Sequence, residues 1–456
     1  MKKVKSFLLF LVLTCTTVLA QPVNHSQALA DLLPTKQWFE IENYYQQHKD
    51  SIDSEFVTLW YIAETGAAFN RPLEAINAYE RLIDNNSLNM DAMTLLSYFG
   101  QSALQLCADI QEYAKGVILC EKMLMFLERD STIDSNIRIA HILALEQFIE
   151  NFKLFPQLYP KQQIIKQADN NKREVALIPN KSNNGIFFNA SWNGIKLRTH
   201  FDTGAGACYI YNRAIAEKLG IKLNTTDTIL LNDGTIRILN GMIDSLEFGE
   251  FTIKNVFVSV NIETIDHTDS TQVLCDSAWN SIFDIVLGMP IIKELGTIEF
   301  DFVKNTMTFP LTTRASDKRN LYIENATLFM NMKVCNVNFL TFFDTGGQDG
   351  LSVNSNFYEK YKQTISTETQ ANQKNGWVAG CHQMSMYPRT VYNCPQIDIT
   401  IGEQEITMIN DCAVSKDKEN DHKFGTPEGG FLGNNIFRYC KKATFDFENM
   451  VFSVEK

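Results

Sequence analysis

The spacing of apolar residues changes character twice along the chain. At the start, Lys2, Lys3 and Lys5 precede an apolar run from Phe7 to Leu13, and Val18-Leu19-Ala20 leads into Gln21. That layout predicts a secretory signal peptide over residues 1–20, cut after Ala20. The run is too short for a membrane span, and no later stretch qualifies. Residues 21–168 read as a helical domain, on apolar positions that recur at helical spacing in three stretches. Trp60, Ala63, Ala67, Ala75, Ala78, Tyr79 and Leu82 form one series, broken by Asn70-Arg71-Pro72, with Pro72 placed to open a second arm. Ala103, Leu106, Tyr113, Ala114, Val117, Cys120 and Leu124 form another, and a further helix is predicted from Ile137 to Phe152, ahead of Pro156 and Pro160.

These paired arms resemble the tetratricopeptide-type helical hairpin, although Leu73–Leu82 and Ala114–Met123 are separated by 41 residues rather than the regular spacing of about 34. An array of that kind implies a concave surface for a protein partner. The alternative is a pad packed against the rest of the chain, and the absence of a charged or aromatic groove in these helices favours it. Residues 169–184 are polar and turn-rich, with Pro179 and repeated Asn, and read as a linker.

From Gly185 onward the periodicity is that of strands. Ile186-Phe187-Phe188-Asn189 and Ile195-Lys196-Leu197-Arg198 flank Trp192-Asn193-Gly194, a hairpin signal. The second arm runs into Phe201-Asp202-Thr203-Gly204, and much later Phe342-Phe343-Asp344-Thr345-Gly346 again ends an apolar strand. One Asp-Thr-Gly is weak evidence, since a given tripeptide occurs by chance in roughly one chain in twenty of this length. The residues downstream of each copy strengthen it. Ile285-Val286-Leu287-Gly288 ends 86 residues beyond Asp202, and Gly430-Phe431-Leu432-Gly433 ends 89 beyond Asp344. Each leads on to a similar segment, Leu295-Gly296-Thr297-Ile298-Glu299-Phe300-Asp301 or Ala443-Thr444-Phe445-Asp446-Phe447-Glu448. The pattern predicts two copies of one β-rich module, residues 185–315 and 316–456.

On these motifs residues 185–456 resemble the aspartic proteases, particularly the retropepsin-like group, with two units in one chain as in the pepsins. The resemblance implies a multidomain α and β protein: a helical hairpin array followed by a two-lobed, mostly antiparallel β acid-protease fold. It implies Asp202 and Asp344 as the catalytic pair, Thr203 and Thr345 holding the two loops together, and an extended peptide or protein as substrate. The chemistry fits the residue types. Two carboxylates about 3 Å apart share one proton, because both cannot cheaply stay ionised, so one serves as base toward a water and the other as acid. Gly204 and Gly346 permit a sharp turn after each aspartate, and Gly288 and Gly433 permit close backbone passage beneath the loops. A flap is also expected. The candidates are the Asp233-Gly234 turn in the first unit and Gly376-Trp377 in the second. One departure from the family pattern is Gly347, where Ala, Ser or Thr is usual.

Composition adds limits. The chain has 456 residues, 45% hydrophobic, with a net charge of -12 that disfavours nucleic acid as a partner. Scattered histidines and the lack of any CxxC give no reason to expect a metal, and no organic cofactor is implied. Cys381 and Cys394 could close a local loop, with connectivity left open. The expected location is periplasmic or secreted, with lipid attachment at Cys15 a rival to soluble export. The expected activity is that of an exported aspartic endopeptidase; the alternative is an inactive peptide-binding protein of the same fold.

Overall fold

Helices occupy His25–Leu32, Trp38–His48, Glu55–Ala68, Pro72–Asn86, Gln101–Asp109, Tyr113–Arg129 and Ser135–Leu158 in a computed structural model of the chain, the last five over the series read from apolar spacing. It describes residues 23–86, 90–167, 174–179, 185–230, 236–264, 284–310, 318–379, 384–415 and 429–456. Residues 1–22, with Cys15 and the predicted cleavage site, lie outside the described residues. Among the described residues no helix is long and apolar enough to cross a membrane.

Pro72 does open its helix, and Asn70 supplies the left-handed turn before it at φ 57°. The Asn70 side chain donates to the carbonyls of Lys293 and Phe447, at 3.0 and 3.2 Å. The helical hairpin is thus fastened to the β region at its turn. Leu29, Leu33, Trp38, Ile41, Val57 and Phe69 belong to the same buried cluster as the sheet residues, while later helices enclose a second core around Tyr79, Phe99 and Met123. Arg319 pairs with Glu42 and lies 5.0 Å above the Phe69 ring. The first helices therefore pack as a pad on the β region.

The N-terminal run of helices ends at Leu158, and only short helices such as Arg213–Lys218 and Ser355–Tyr361 occur among the described residues beyond it. Gln163–Lys166, within the stretch read as helical, is an edge strand paired with Phe251–Thr264, and Glu174–Ala176, within the predicted linker, pairs with Thr306–Thr308. Both are too short for periodicity to separate them from loop.

Among the described residues the β region forms three sheets. In the first, Ile186–Trp192 and Ile195–Phe201 form the predicted hairpin, with Asn193 and Gly194 at φ 48° and 78° as a tight turn requires. Ile195–Phe201 lies parallel to Ile285–Leu287, which lies antiparallel to Cys208–Ile210; that strand in turn runs parallel to Phe251–Thr264. The second sheet repeats these relations. Val337–Phe343 is parallel to Gly430–Leu432, which is antiparallel to Leu351–Val353, itself parallel to Gln404–Ser415. The third sheet takes strands from both segments, with Thr297–Asp301 antiparallel to Lys442–Asp446.

Phe201 and Phe343, each immediately before an Asp-Thr-Gly, are fully buried. Phe201 meets Phe300 edge-on at 5.1 Å, and Phe343 stacks on Phe445 at 5.5 Å, so the third sheet supports both loops from below. Full burial of each ring contributes roughly 1.5–3 kcal/mol.

Candidate active site

Each aspartate is fixed by the strand that delivers it and by the turn it opens. The Asp202 N–H donates to the Leu287 carbonyl at 3.1 Å, and the Asp344 N–H to that of Leu432 at 3.0 Å. The Gly204 N–H donates to Asp202 Oδ1 at 2.8 Å and the Gly346 N–H to Asp344 Oδ1 at 2.7 Å.

The two turns then interlock. Thr203 N–H donates to Thr345 Oγ1 and Thr345 N–H to Thr203 Oγ1, both at 3.0 Å. Each hydroxyl passes its own proton across the same boundary, Thr203 to the Phe343 carbonyl and Thr345 to that of Phe201, again at 3.0 Å. Both threonines are completely buried, so these four bonds satisfy groups that water cannot reach.

Glycine is required here for closeness. A β-carbon on Gly204 would stand 2.4 Å from Asp344 Cγ, and one on Gly346 would stand 2.4 Å from Asp202 Cγ. Each turn therefore lies flat against the opposite carboxyl group. Gly288 and Gly433 pass beneath in the same manner: their β-carbons would meet the Ala207 and Asp349 carbonyls at 2.1 and 2.2 Å. The next residues close the loops, with Met289 N–H donating to Ala205 O and Asn434 N–H to Gly347 O, both at 2.8 Å.

The carboxyl groups of Asp202 and Asp344 are within hydrogen-bonding reach of each other. Burial, then the like charge of Asp344, raises the Asp202 pKa well above the carboxylate range; burial raises that of Asp344. Asp202 keeps 20% of its side-chain surface, so the site is open to solvent even though its walls are protein. The pair favours holding one proton between two oxygens.

All eight residues expected at the centre are thus brought together: Asp202, Thr203, Gly204, Gly288, Asp344, Thr345, Gly346 and Gly433. The flap candidates fare differently. Asp233 and Gly234 lie outside the described residues. Gly376 and Trp377 belong to the arm Asn372–Ala379, opposite Tyr387 and Met386, because the ladder continues past them to Ala379 and Met384. The connecting turn, 380–383, lies outside the described residues.

One neighbour was missed by sequence reasoning. His200 Nδ1 is 3.9 Å from Asp202 Oδ2, with its ring stacked on Phe187 at 4.7 Å. Burial, with Arg198 adding to it, pushes its pKa down to about 3, so the imidazole is neutral over most of the pH range. Alternation gives the signal in retrospect, since residues two apart on a strand share a face.

The family model for aspartyl proteases matches residues 188–291. This supports an aspartic-protease-like domain there; the match includes Asp202 and Gly288 and stops short of Asp344. A solved retropepsin-like aspartic protease from Rickettsia conorii is similar at 21% identity, over 32% of this chain and 91% of that one, with a TM-score of 0.22. No protein with curated annotation matches.

Proposed function

We propose that this protein is an exported aspartic endopeptidase built from two lobes of a duplicated acid-protease fold, with Asp202 and Asp344 as its catalytic pair. The observation that carries this reading is the reciprocal fit of the two Asp-Thr-Gly turns, each glycine against the opposite carboxyl group. A chance tripeptide would not be expected to share four buried hydrogen bonds with a second copy 142 residues away. The parallel strand relations in the two large sheets support the duplication.

In this mechanism the substrate is an extended peptide whose scissile carbonyl lies over the pair. The ionised carboxyl group takes a proton from a water as that water attacks the carbonyl carbon. The protonated one gives its proton to the carbonyl oxygen, so charge does not build up on it. Collapse of the tetrahedral intermediate breaks the C–N bond: the leaving nitrogen takes the proton that the first carboxyl group accepted from water, and a hydroxyl of the intermediate returns one to the second carboxylate, restoring the pair. The Gly204 and Gly346 N–H groups hold the inner carboxyl oxygens, leaving the outer ones for water and substrate. Export rests on the first twenty residues alone, and the helical pad acts as a scaffold for the lobes.

The test is to incubate the chain from Gln21 onward with unfolded proteins between about pH 3 and 7 and to map new termini by mass spectrometry. Asp202→Asn and Asp344→Asn should each abolish cleavage. Cleavage that survives both substitutions would overturn the assignment, and a folded protein that cuts nothing would favour the peptide-binding alternative.

A further inference from the structure

We propose that Cys394 and Cys412 form a disulfide that ties two strands together beside the Asp344 loop. They stand directly opposite each other in the antiparallel ladder between Met384–Ile401 and Gln404–Ser415. Opposed residues in such a ladder have Cα atoms about 4.5–5.5 Å apart, inside the span of a disulfide, about 4.4–6.8 Å. Their side chains also leave the same face of the sheet. Both are buried, at 0% and 4% exposure, and the structure holds them as free thiols in contact with each other. The chain elsewhere treats buried thiols differently. Burial raises Cys107, Cys120, Cys208 and Cys440 to about 12, whereas the contact with Cys412 outweighs burial and lowers Cys394.

Cys394 has two rival partners, Cys381 and Cys335. Cys381 lies outside the described residues. Cys335 donates its N–H to the Asp398 carbonyl at 2.8 Å, which sets it against the strand four residues beyond Cys394 rather than opposite it.

The position gives the bond a purpose. The ladder shifts register between Cys394 and Gln396, where Pro395 has no N–H to donate. A covalent tie next to that bulge fixes the pairing where hydrogen bonding is weakest. Cys412 is also in parallel register with Leu351, and the preceding Gly350 packs so closely on the Asp411 carbonyl that a β-carbon would stand 1.9 Å from it. The staple therefore holds the strand against which the Asp344 loop returns. Its chemistry is thiol–disulfide exchange: one Cys thiolate displaces a thiol from a small-molecule disulfide, and the second Cys displaces the other, closing the S–S bond. Two protons and two electrons leave the cysteines, and the small-molecule disulfide is reduced to two thiols. None of this depends on the proteolytic reading.

The experiment is to refold the chain from Gln21 onward in a glutathione redox buffer, alkylate free thiols, digest without reductant and map linked peptides. A pair joined through Cys394 and Cys412, about 2 Da lighter than its two free-thiol peptides, is expected. Reducing the folded protein should lower Tm by about 5–10 °C, and Cys335→Ser should leave the linked pair intact. Recovery of Cys394 and Cys412 both alkylated, or either one joined to Cys335 or Cys381, would overturn the proposal. A linked pair whose reduction leaves Tm unmoved would overturn the stapling role. The wild-type map decides the bond without removing either cysteine, so a failure of Cys394→Ser or Cys412→Ser to fold would not affect it.

Discussion

Gly347 and Phe431 fit each other: a β-carbon on Gly347 would stand 2.3 Å from the tip of the Phe431 ring. The corresponding places in the first segment hold Ala205 and Val286, which share a small buried cluster. A larger residue under the loop is matched by a smaller one in it. Gly347 N–H still donates to the Asp344 carbonyl at 3.2 Å, as Ala205 N–H does to Asp202 at 3.3 Å, so the loop geometry survives the exchange. Gly347→Ala alone should destabilise the protein by about 1–3 kcal/mol through overpacking, and Phe431→Val should recover much of that loss. A double-mutant cycle from urea unfolding checks this; additive effects would mean that the two positions do not compensate.

The aspartate pair should make stability depend on pH with a definite sign. Both carboxyl groups have raised pKa values, from burial and, for Asp202, from the neighbouring charge as well. The folded state therefore holds more protons than the unfolded state above the ordinary carboxylate pKa of about 4. Stability falls as pH rises from there through the folded pKa values. Asp344→Asn removes the like charge, so its Tm should exceed that of the wild type by a few degrees at pH 7 and converge with it near pH 3. Thermal melts across that range would show it, and a variant less stable at pH 7 would refute it.

Each threonine at the centre satisfies two buried backbone groups of the other turn. Thr203→Val or Thr345→Val strands an N–H and a carbonyl, at a cost of about 2–4 kcal/mol, and should reduce peptide cleavage as the two carboxyl groups lose their registration. Thr→Ser at either position keeps the hydroxyl and should stay within about 1 kcal/mol of the wild type. Denaturation and turnover measured on all four variants separate lost bonding from lost shape.

Ala326 adopts φ 57° in the turn between Leu321–Glu324 and Thr327–Val334, a conformation that costs a residue with a β-carbon. Ala326→Gly should stabilise the protein by about 0.5–1 kcal/mol. A lower urea midpoint would show that the turn is held by something other than backbone preference.

Much of this was legible beforehand. Helical spacing located the arms around Pro72 and the helix through Ile137–Phe152, and Asn193-Gly194 announced its hairpin. The central residues could be found because their chemistry is tied to a fixed local order, Asp-Thr-Gly, with a glycine at a matching distance. What escaped notice depends on contact across the chain. His200 looks like an ordinary strand residue until the pleat sets it beside Asp202. Gly347 looks like a defect until Phe431 is seen to occupy the missing space. The second hairpin turns at Cys335-Asn336, both at positive φ, without the glycine that marked the first. Gly376 and Trp377, named as flap candidates, lie along a hairpin arm, a placement that only the ladder shows.

The sheet shared between the two segments also sets a schedule. Phe201 rests on Phe300, whose strand pairs with Lys442–Asp446, and Asp202 faces a turn that is itself underpinned by Phe445. During synthesis the first turn emerges long before the turn it faces and the strand that completes the shared sheet. A growing chain that has passed Gly288 but not Asp344 carries one aspartate, with no second carboxyl group to share a proton with. Under the proposed function, the enzyme is harmless to its own nascent chain until the shared sheet closes.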